Sequence, residues 1–247
     1  MPRVASTLIT IAFVLLSWPA PQIQREAIPF VGCPAEGQVG PIQPPQGEPR
    51  IVALDGALAR SIAYYKGEEA PGVFAPRGWH CRVWYGSGGS TILVTPIPID
   101  SKQFSPPTIN APAVEIELLD GGTSGRFGVA RYASRLFPKV AAKFIERVES
   151  EGLEPASEFE QRPYAHDAVT YPDTLVAEFT TPANKIGLGT EGILQPSQDP
   201  ISGIAVLDPS GDWSLSILRV RLGPNLRQVR AAILRLSRPC MQATDAC

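Results

Sequence analysis

The alternation of hydrophobic and polar positions predicts a β-hairpin in the first half of the chain. Residues 79–85 alternate in polarity, residues 86–90 are glycine and serine, and residues 91–98 are mostly apolar or β-branched. Glycine permits a tight turn, and β-branched side chains fit a pleated strand. These three segments therefore predict strand, turn and strand.

A third strand and the strongest helical pattern follow. Residues 113–119 predict a strand with Glu115 and Glu117 on one face, because successive side chains of a strand point to opposite faces. From Val129 to Val148, apolar residues recur at steps of three and four, which predicts a helix. Pro138 lies inside this pattern and should kink or split the helix, because proline lacks a backbone N–H.

The rest of the chain adds two helices and more strands. Asp55 predicts the N-cap of a helix over residues 56–66, and Pro224 opens a final helix. Further strands are expected at residues 174–181, 203–207 and 214–221. Because the strands come in consecutive runs, the expected class is α+β. It has a mainly antiparallel sheet layered with a long, Pro-kinked helix and a C-terminal helix.

The N-terminal region predicts export. Arg3 precedes an apolar run over residues 8–18, which is typical of a signal peptide covering residues 1–20 and is too short to span a bilayer. The proline-rich residues 21–50 predict an extended entry segment, and residues 51–247 a single α+β domain without a linker. We therefore expect a secreted or periplasmic protein with no transmembrane segment after signal cleavage.

The four cysteines fit an oxidising compartment. Four cysteines allow three connectivities. We favour the pairs that close the smaller loops, Cys33–Cys81 and Cys240–Cys247. A zinc site is the competing use of thiols, but the chain has no Cys-x-x-Cys pair and only two histidines. The sequence thus predicts a disulfide-stapled fold with no metal and no cofactor.

Charge narrows the possible partners. A net charge of −2 argues against a strongly basic nucleic-acid-binding protein. Cations recur every four residues on the predicted long helix, at Arg131, Arg135, Lys139, Lys143 and Arg147. Such a face predicts an anionic envelope component or another envelope protein as partner. The alternative is a solvated face that meets the acidic segment 152–212 of the same chain.

The candidate nucleophiles are serines in glycine-rich turns. Ser87 and Ser124 both occupy such turns, and His80 and His166 are the only histidines. A serine hydrolase needs a hydroxyl, a base and a group that orients the base. Neither serine lies in a Gly-x-Ser-x-Gly elbow. The sequence therefore favours a non-catalytic binding or structural protein, with a secreted hydrolase that pairs a histidine with a turn serine as the alternative.

The two glycine-rich turns also define a candidate binding surface. Glycine lets the backbone approach a ligand closely, and loops commonly carry binding residues. The turn at residues 121–125 lacks the lysine of a phosphate-binding loop, so we expect Thr123 or Ser124 to cap the following helix. The residues predicted to bind are Trp79, His80, Ser87, Ser124 and Arg126.

Several short strings are distinctive: Gly32–Pro34, Gly37–Pro41, Ala75–Cys81, Gly121–Phe127 and Gly187–Thr190. The most distinctive is the Trp-His-Cys block at residues 79–81. Together these strings resemble bacterial exported proteins of unknown function. The resemblance implies export and a single fold. It carries no activity, cofactor or catalytic residue.

Overall fold

The computed structural model describes residues 24–100 and 102–242. Within these ranges the strands are β1 (Gln24–Ile28), β2 (Phe30–Gly32), β3 (Ala35–Gly37), β4 (Arg50–Leu54), β5 (Ile62–Lys66), β6 (Val73–Pro76), β7 (His80–Gly86), β8 (Gly89–Thr95), β9 (Ala113–Asp120), β10 (Ala168–Asp173), β11 (Val176–Thr181), β12 (Ile201–Asp208) and β13 (Ser214–Arg221). The α-helices are α1 (Gly56–Ser61), α2 (Arg126–Leu136), α3 (Ala142–Glu149) and α4 (Arg227–Gln242). Short 3₁₀ helices occupy Ala156–Phe159, Leu188–Thr190 and Pro224–Leu226.

The central feature is an eight-stranded sheet in the order β10-β11-β12-β13-β9-β8-β7-β3. Its neighbouring strands are antiparallel except for β3, which runs parallel to β7. Two smaller sheets, β1-β4 and β2-β5-β6, accompany it. The predicted α+β class, with a mainly antiparallel sheet, is confirmed.

Helices cover both faces of this sheet, and strand alternation sorts the side chains between them. On β13, Leu215 and Ile217 join the core formed by α2 and α3, and we call this side the α2 face. Leu218 and Val220 of the same strand pack in the core that includes Ile233 of α4, and we call that side the α4 face. Because successive side chains point to opposite faces, the single strand β13 contributes side chains to both cores.

The two ends of the sheet carry different residues. The turn end holds the β7–β8 turn at residues 86–89 and the last residue of β9, Asp120. The far end holds His80 of β7, Ala113 of β9 and, through the registers of the intervening strands, Ala168 of β10.

The first helix is shorter than the sequence predicts. Asp55 caps it as expected, because its Oδ1 accepts hydrogen bonds from the backbone N–H groups of Ala57 (2.9 Å) and Leu58 (3.3 Å). The prediction of helix to residue 66 is wrong, since the helix ends at Ser61 and the chain continues as β5. Four of the five β5 residues are buried, so pairing with β2 and β6 outweighs the local helical spacing.

The entry segment is also more ordered than its composition indicates. Residues 24–37 contain β1, β2 and β3, and β3 joins the central sheet as an edge strand. β10 was likewise not predicted. β1, β2 and β3 pair with β4, β5 and β7, which lie further along the chain, whereas β10 pairs with the next strand, β11. Composition does not reveal these pairings.

The break at Pro138 and the C-terminal helix agree with the prediction. α2 ends at Leu136 and α3 begins at Ala142, so the proline separates two helices. The final helical segment opens at Pro224 as a 3₁₀ turn and continues as α4, with Val229 and Ile233 buried.

The predicted disulfide between Cys33 and Cys81 is confirmed, with their Cα atoms 5.4 Å apart. It ties the loop after β2 to β7. The predicted partner of Cys240, Cys247, and the predicted signal peptide at residues 1–20 lie outside the described residues.

Candidate functional site

The two predicted glycine-rich turns meet at the turn end of the sheet. Ser87 Oγ and Ser124 Oγ lie 3.0 Å apart, and the Thr123 hydroxyl donates to the Ser87 carbonyl oxygen. A Cβ on Gly125 would lie 2.1 Å from the Gly88 carbonyl oxygen, so this contact requires glycine. The predicted cap is wrong: Gly125 is the N-cap of α2 and no side chain caps the helix.

Beside these turns, a groove of about 510 Å³ opens on the α2 face. Its floor is one cross-strand row in which Glu36, Trp84, Thr91 and Glu117 pair in register on β3, β7, β8 and β9. Side chains in register on neighbouring strands project from the same face. The row therefore presents an indole, a hydroxyl and two carboxylates side by side.

One wall of the groove is the segment after β8, and the other is α2. Phe104 belongs to the first wall and is 81 % exposed. Trp84 Nε1 donates to the Gln103 carbonyl oxygen (3.1 Å), which fixes this wall to the floor. From α2, Phe127 and Arg131 face the groove. Aromatic surface on both walls is typical of ligand sites, in which few polar groups set the orientation.

A buried ionic cluster lies beside the floor. Arg219 of β13 is fully buried, and its guanidinium donates to Glu115 Oε1 (2.8 Å) and Glu117 Oε2 (3.0 Å) of the neighbouring strand. It also donates to the Tyr132 hydroxyl of α2 (2.5 Å) and to the Leu188 carbonyl oxygen (3.0 Å). These bonds fix the position of Glu117 at the groove.

Burial controls the protonation of this cluster. Loss of hydration raises the pKa of Glu115, and repulsion by Glu117 raises it further, while Arg219 opposes both effects. Burial also raises the pKa of Tyr132 well above its ordinary value. Tyr132 therefore stays a neutral hydroxyl that accepts from Arg219.

A second group of contacts holds the segment that covers Glu115. Arg135 of α2 lies 4.2 Å from the ring centroid of Tyr164 and 3.6 Å from the Glu191 carboxylate. The Tyr164 hydroxyl donates to the same carboxylate. Two residues later, the Ile193 N–H donates to Glu115 Oε1 (3.3 Å). The segment that contains Ile193 thus covers Glu115 and helps to bury the ionic cluster.

The structure brings together only some of the predicted binding residues. Ser87, Ser124 and Arg126 lie at the turn end, and Ser124 lines the groove. Arg126 forms an ion pair with Glu151 (2.7 Å). Its guanidinium also lies 4.4 Å from the ring centroid of Phe127, which lines the groove. Trp79 and His80, in contrast, lie at the far end.

Neither histidine is near the turn serines. His80 and Gly86 stand at opposite ends of β7, a span of about 20 Å at ~3.3 Å per residue. His166 is exposed and precedes Ala168, which also lies at the far end. A histidine base must come within hydrogen-bond reach of its nucleophile. The geometry therefore gives Ser87 and Ser124 no histidine partner.

Two of the five cations on the predicted helix face contact the acidic segment of the same chain. Arg131 contacts Glu158 (3.1 Å), and Arg135 contacts Glu160 (3.3 Å). Lys139, Lys143 and Arg147 are the exposed cations of the predicted stripe. An anionic or protein partner on this face remains a prediction.

Sequence reasoning missed the groove residues Glu36, Trp84, Thr91 and Glu117, and the buried Arg219. A signal was present in β13, where two arginines alternate with apolar residues inside a strand. Buried charged side chains need ionic or hydrogen-bonding partners. The sequence does not reveal which residues supply them.

Comparisons with protein-family models and with curated proteins found no match. Across the part of the chain that the structure describes, no helix is long and apolar enough to cross a membrane. The same part contains no cluster of three or more histidine, cysteine or acidic side chains suited to a metal ion.

Proposed function

We propose that this protein is a secreted or periplasmic, non-catalytic binding protein whose ligand occupies the groove on the α2 face. Its location outside the cytoplasm is supported by the predicted signal peptide and by the Cys33–Cys81 disulfide, which oxidising compartments preserve. The predicted alternative, a hydrolase, lacks a histidine near its turn serines.

The observation that carries the proposal is that an exposed aromatic side chain, Phe104, stands beside a groove floor whose side chains are fixed in position. Replacing a buried ion pair by apolar residues is often neutral or stabilising. A gain in stability therefore does not explain why this sheet carries the ionic cluster around Arg219. Its effect is to hold Glu117 at the groove with its side chain 20 % exposed. Binding sites depend on this kind of positioning by surrounding residues.

The exposed side chain of Phe104 offers a test that leaves the fold intact. Phe104 is 81 % exposed, so Phe104→Ala removes ligand contact area and little core packing. Ile186 is 67 % exposed and does not line the groove, so Ile186→Ala is the matched control. Isotope-labelled protein is titrated with N-acetyl-trilysine amide, chitotriose and triglutamate, and backbone amide shifts are followed by NMR.

The proposal predicts that at least one of these probes shifts amides of the groove floor and α2. It also predicts that the shift weakens in Phe104→Ala and persists in Ile186→Ala. Groove amides that respond to no probe, or a response equal in both variants, would contradict the groove as the binding site.

A further inference from the structure

The charges around the groove are unbalanced. Glu36, Glu117 and Glu154 line it together with one guanidinium, that of Arg131. Glu36 is already paired with Arg82 (3.3 Å), so the excess negative charge comes from the other carboxylates. Arg131 lies at the rim, where it contacts Glu158 (3.1 Å) and Glu154 (4.0 Å). One cation therefore faces two carboxylates at the rim.

At the floor of the groove, one cation is likewise shared by two carboxylates. Arg219 is shared between Glu115 and Glu117, so these three side chains carry one excess negative charge when both carboxylates are ionised. Protonation of Glu115 would remove this excess at the floor but not the excess at the rim. An anionic ligand would meet repulsion at both places, and a neutral ligand would leave the imbalance uncompensated.

Glu117 also has one oxygen available to a ligand. Its Oε2 accepts from Arg219, whereas its Oε1 accepts no hydrogen bond from any residue in the ranges 24–100 and 102–242. A guanidinium binds best when it reaches both oxygens of a carboxylate, but an ammonium group binds a single oxygen as a point charge. The single open oxygen favours an ammonium group.

The aromatic side chains suit the remainder of such a ligand. Phe104 and Phe127 stand on opposite walls above the floor that carries Glu117. The methylene chain of an alkylammonium group packs on apolar surface while its charged end stays at a polar group. Aromatic faces also attract cations within about 6 Å.

We infer that the groove binds an alkylammonium group, as found on polyamines and lysine side chains, with its nitrogen on Glu117 Oε1 and its methylene chain between Phe104 and Phe127. This inference rests on the proposed function, because it names the ligand chemistry of the same groove.

Isothermal titration calorimetry tests the charge requirement. The titrants are spermidine, N-acetyl-trilysine amide and the neutral chitotriose, each with wild-type protein, Glu117→Gln and Glu178→Gln. Glu178 is the control because it is a partly exposed carboxylate that contacts an arginine outside this groove. We expect a cationic titrant to bind wild type and Glu178→Gln equally and Glu117→Gln about ten- to a hundredfold more weakly, as for loss of a charged hydrogen bond.

A second variant keeps the test decisive if Glu117→Gln disturbs the fold. Glu154 lies at the rim with its side chain 33 % exposed, so Glu154→Gln leaves the buried cluster intact. We expect it to weaken cation binding severalfold and to reduce the dependence of affinity on salt, because exposed charges are screened. Thermal unfolding of each variant identifies any loss of folding.

The outcomes separate this inference from the proposed function. Binding of spermidine alone assigns a free polyamine, and binding of the trilysine peptide alone assigns a lysine side chain. Chitotriose that shifts groove amides, with neither cation bound, leaves the binding function standing and overturns the ammonium assignment. Cation binding that neither glutamate substitution weakens also overturns it. Groove amides that respond to none of the probes contradict the binding function itself.

Discussion

The buried cluster around Arg219 leads to a prediction about stability. Arg219→Met removes the only guanidinium that contacts Glu115 and Glu117 among the residues described, while keeping an apolar side chain of similar length. Glu115 is then left 1 % exposed, with the Ile193 N–H as its remaining hydrogen-bond donor. Breaking a buried pair by removing one partner costs about 3–5 kcal/mol. We expect the free energy of unfolding to fall by about this amount.

An exposed pair supplies the matched control. Arg238 of α4 contacts Glu178 at 3.3 Å, but their side chains are 32 % and 45 % exposed. Exposed ion pairs contribute about 0–1 kcal/mol, because water solvates each partner when the other is removed. Arg238→Met should therefore change the free energy of unfolding by no more than about 1 kcal/mol.

A double variant tests whether uncompensated charge is the cause. Arg219→Met combined with Glu115→Leu removes both fully buried charges and leaves Glu117, which reaches solvent. Because apolar replacement of a buried pair is often neutral, the double variant should recover at least about 2 kcal/mol of the loss. The measurement is urea unfolding, followed by tryptophan fluorescence with the disulfide intact. An Arg219→Met variant within about 1 kcal/mol of wild type, or a double variant no more stable than the single one, would refute this reasoning.

Two further predictions concern the disulfide and the buried carboxylate. Cys33 and Cys81 are 48 residues apart, so the chain-entropy relation gives about 4 kcal/mol for their bond, and the Cys33→Ala/Cys81→Ala variant should lose roughly that in urea unfolding; an unchanged midpoint would contradict it. Burial raises the pKa of Glu115 above the ordinary 4.5, so its contribution to stability is complete below that pH and is lost as pH rises through the folded-state pKa. Glu115→Gln should therefore flatten the decline in unfolding free energy above pH 4.5; an equally steep decline would show that other groups cause it.

Local signals placed several elements correctly. Asp55 marks the start of α1, Pro138 separates α2 from α3, and Pro224 opens the final helical segment. A cap and a proline act on the backbone within a turn of their own position, so sequence reveals them directly. The strands of the β7–β8 hairpin and β9 were equally visible, because alternation and turn glycines are local too.

Elements that depend on distant partners were missed or shortened. β3 has three residues and exists because it pairs with β7, while β5 replaces the second half of a predicted helix. The hydrogen bonds that stabilise β3 come from β7, which is about 50 residues further along the chain. No property of the entry segment alone identifies that partner.

The candidate site shows the same division. The amino-acid sequence shows that the turns carrying Ser87 and Ser124 are glycine-rich, and its alternation predicts that Glu115 and Glu117 share one face of a strand. The folded structure is needed to see that the two turns meet, that both histidines lie at the far end, and that Arg219 bonds to Glu115 across 104 residues of chain. The physical reason is that alternation fixes which face a side chain takes, whereas strand order and register follow from the collective burial of both sheet faces.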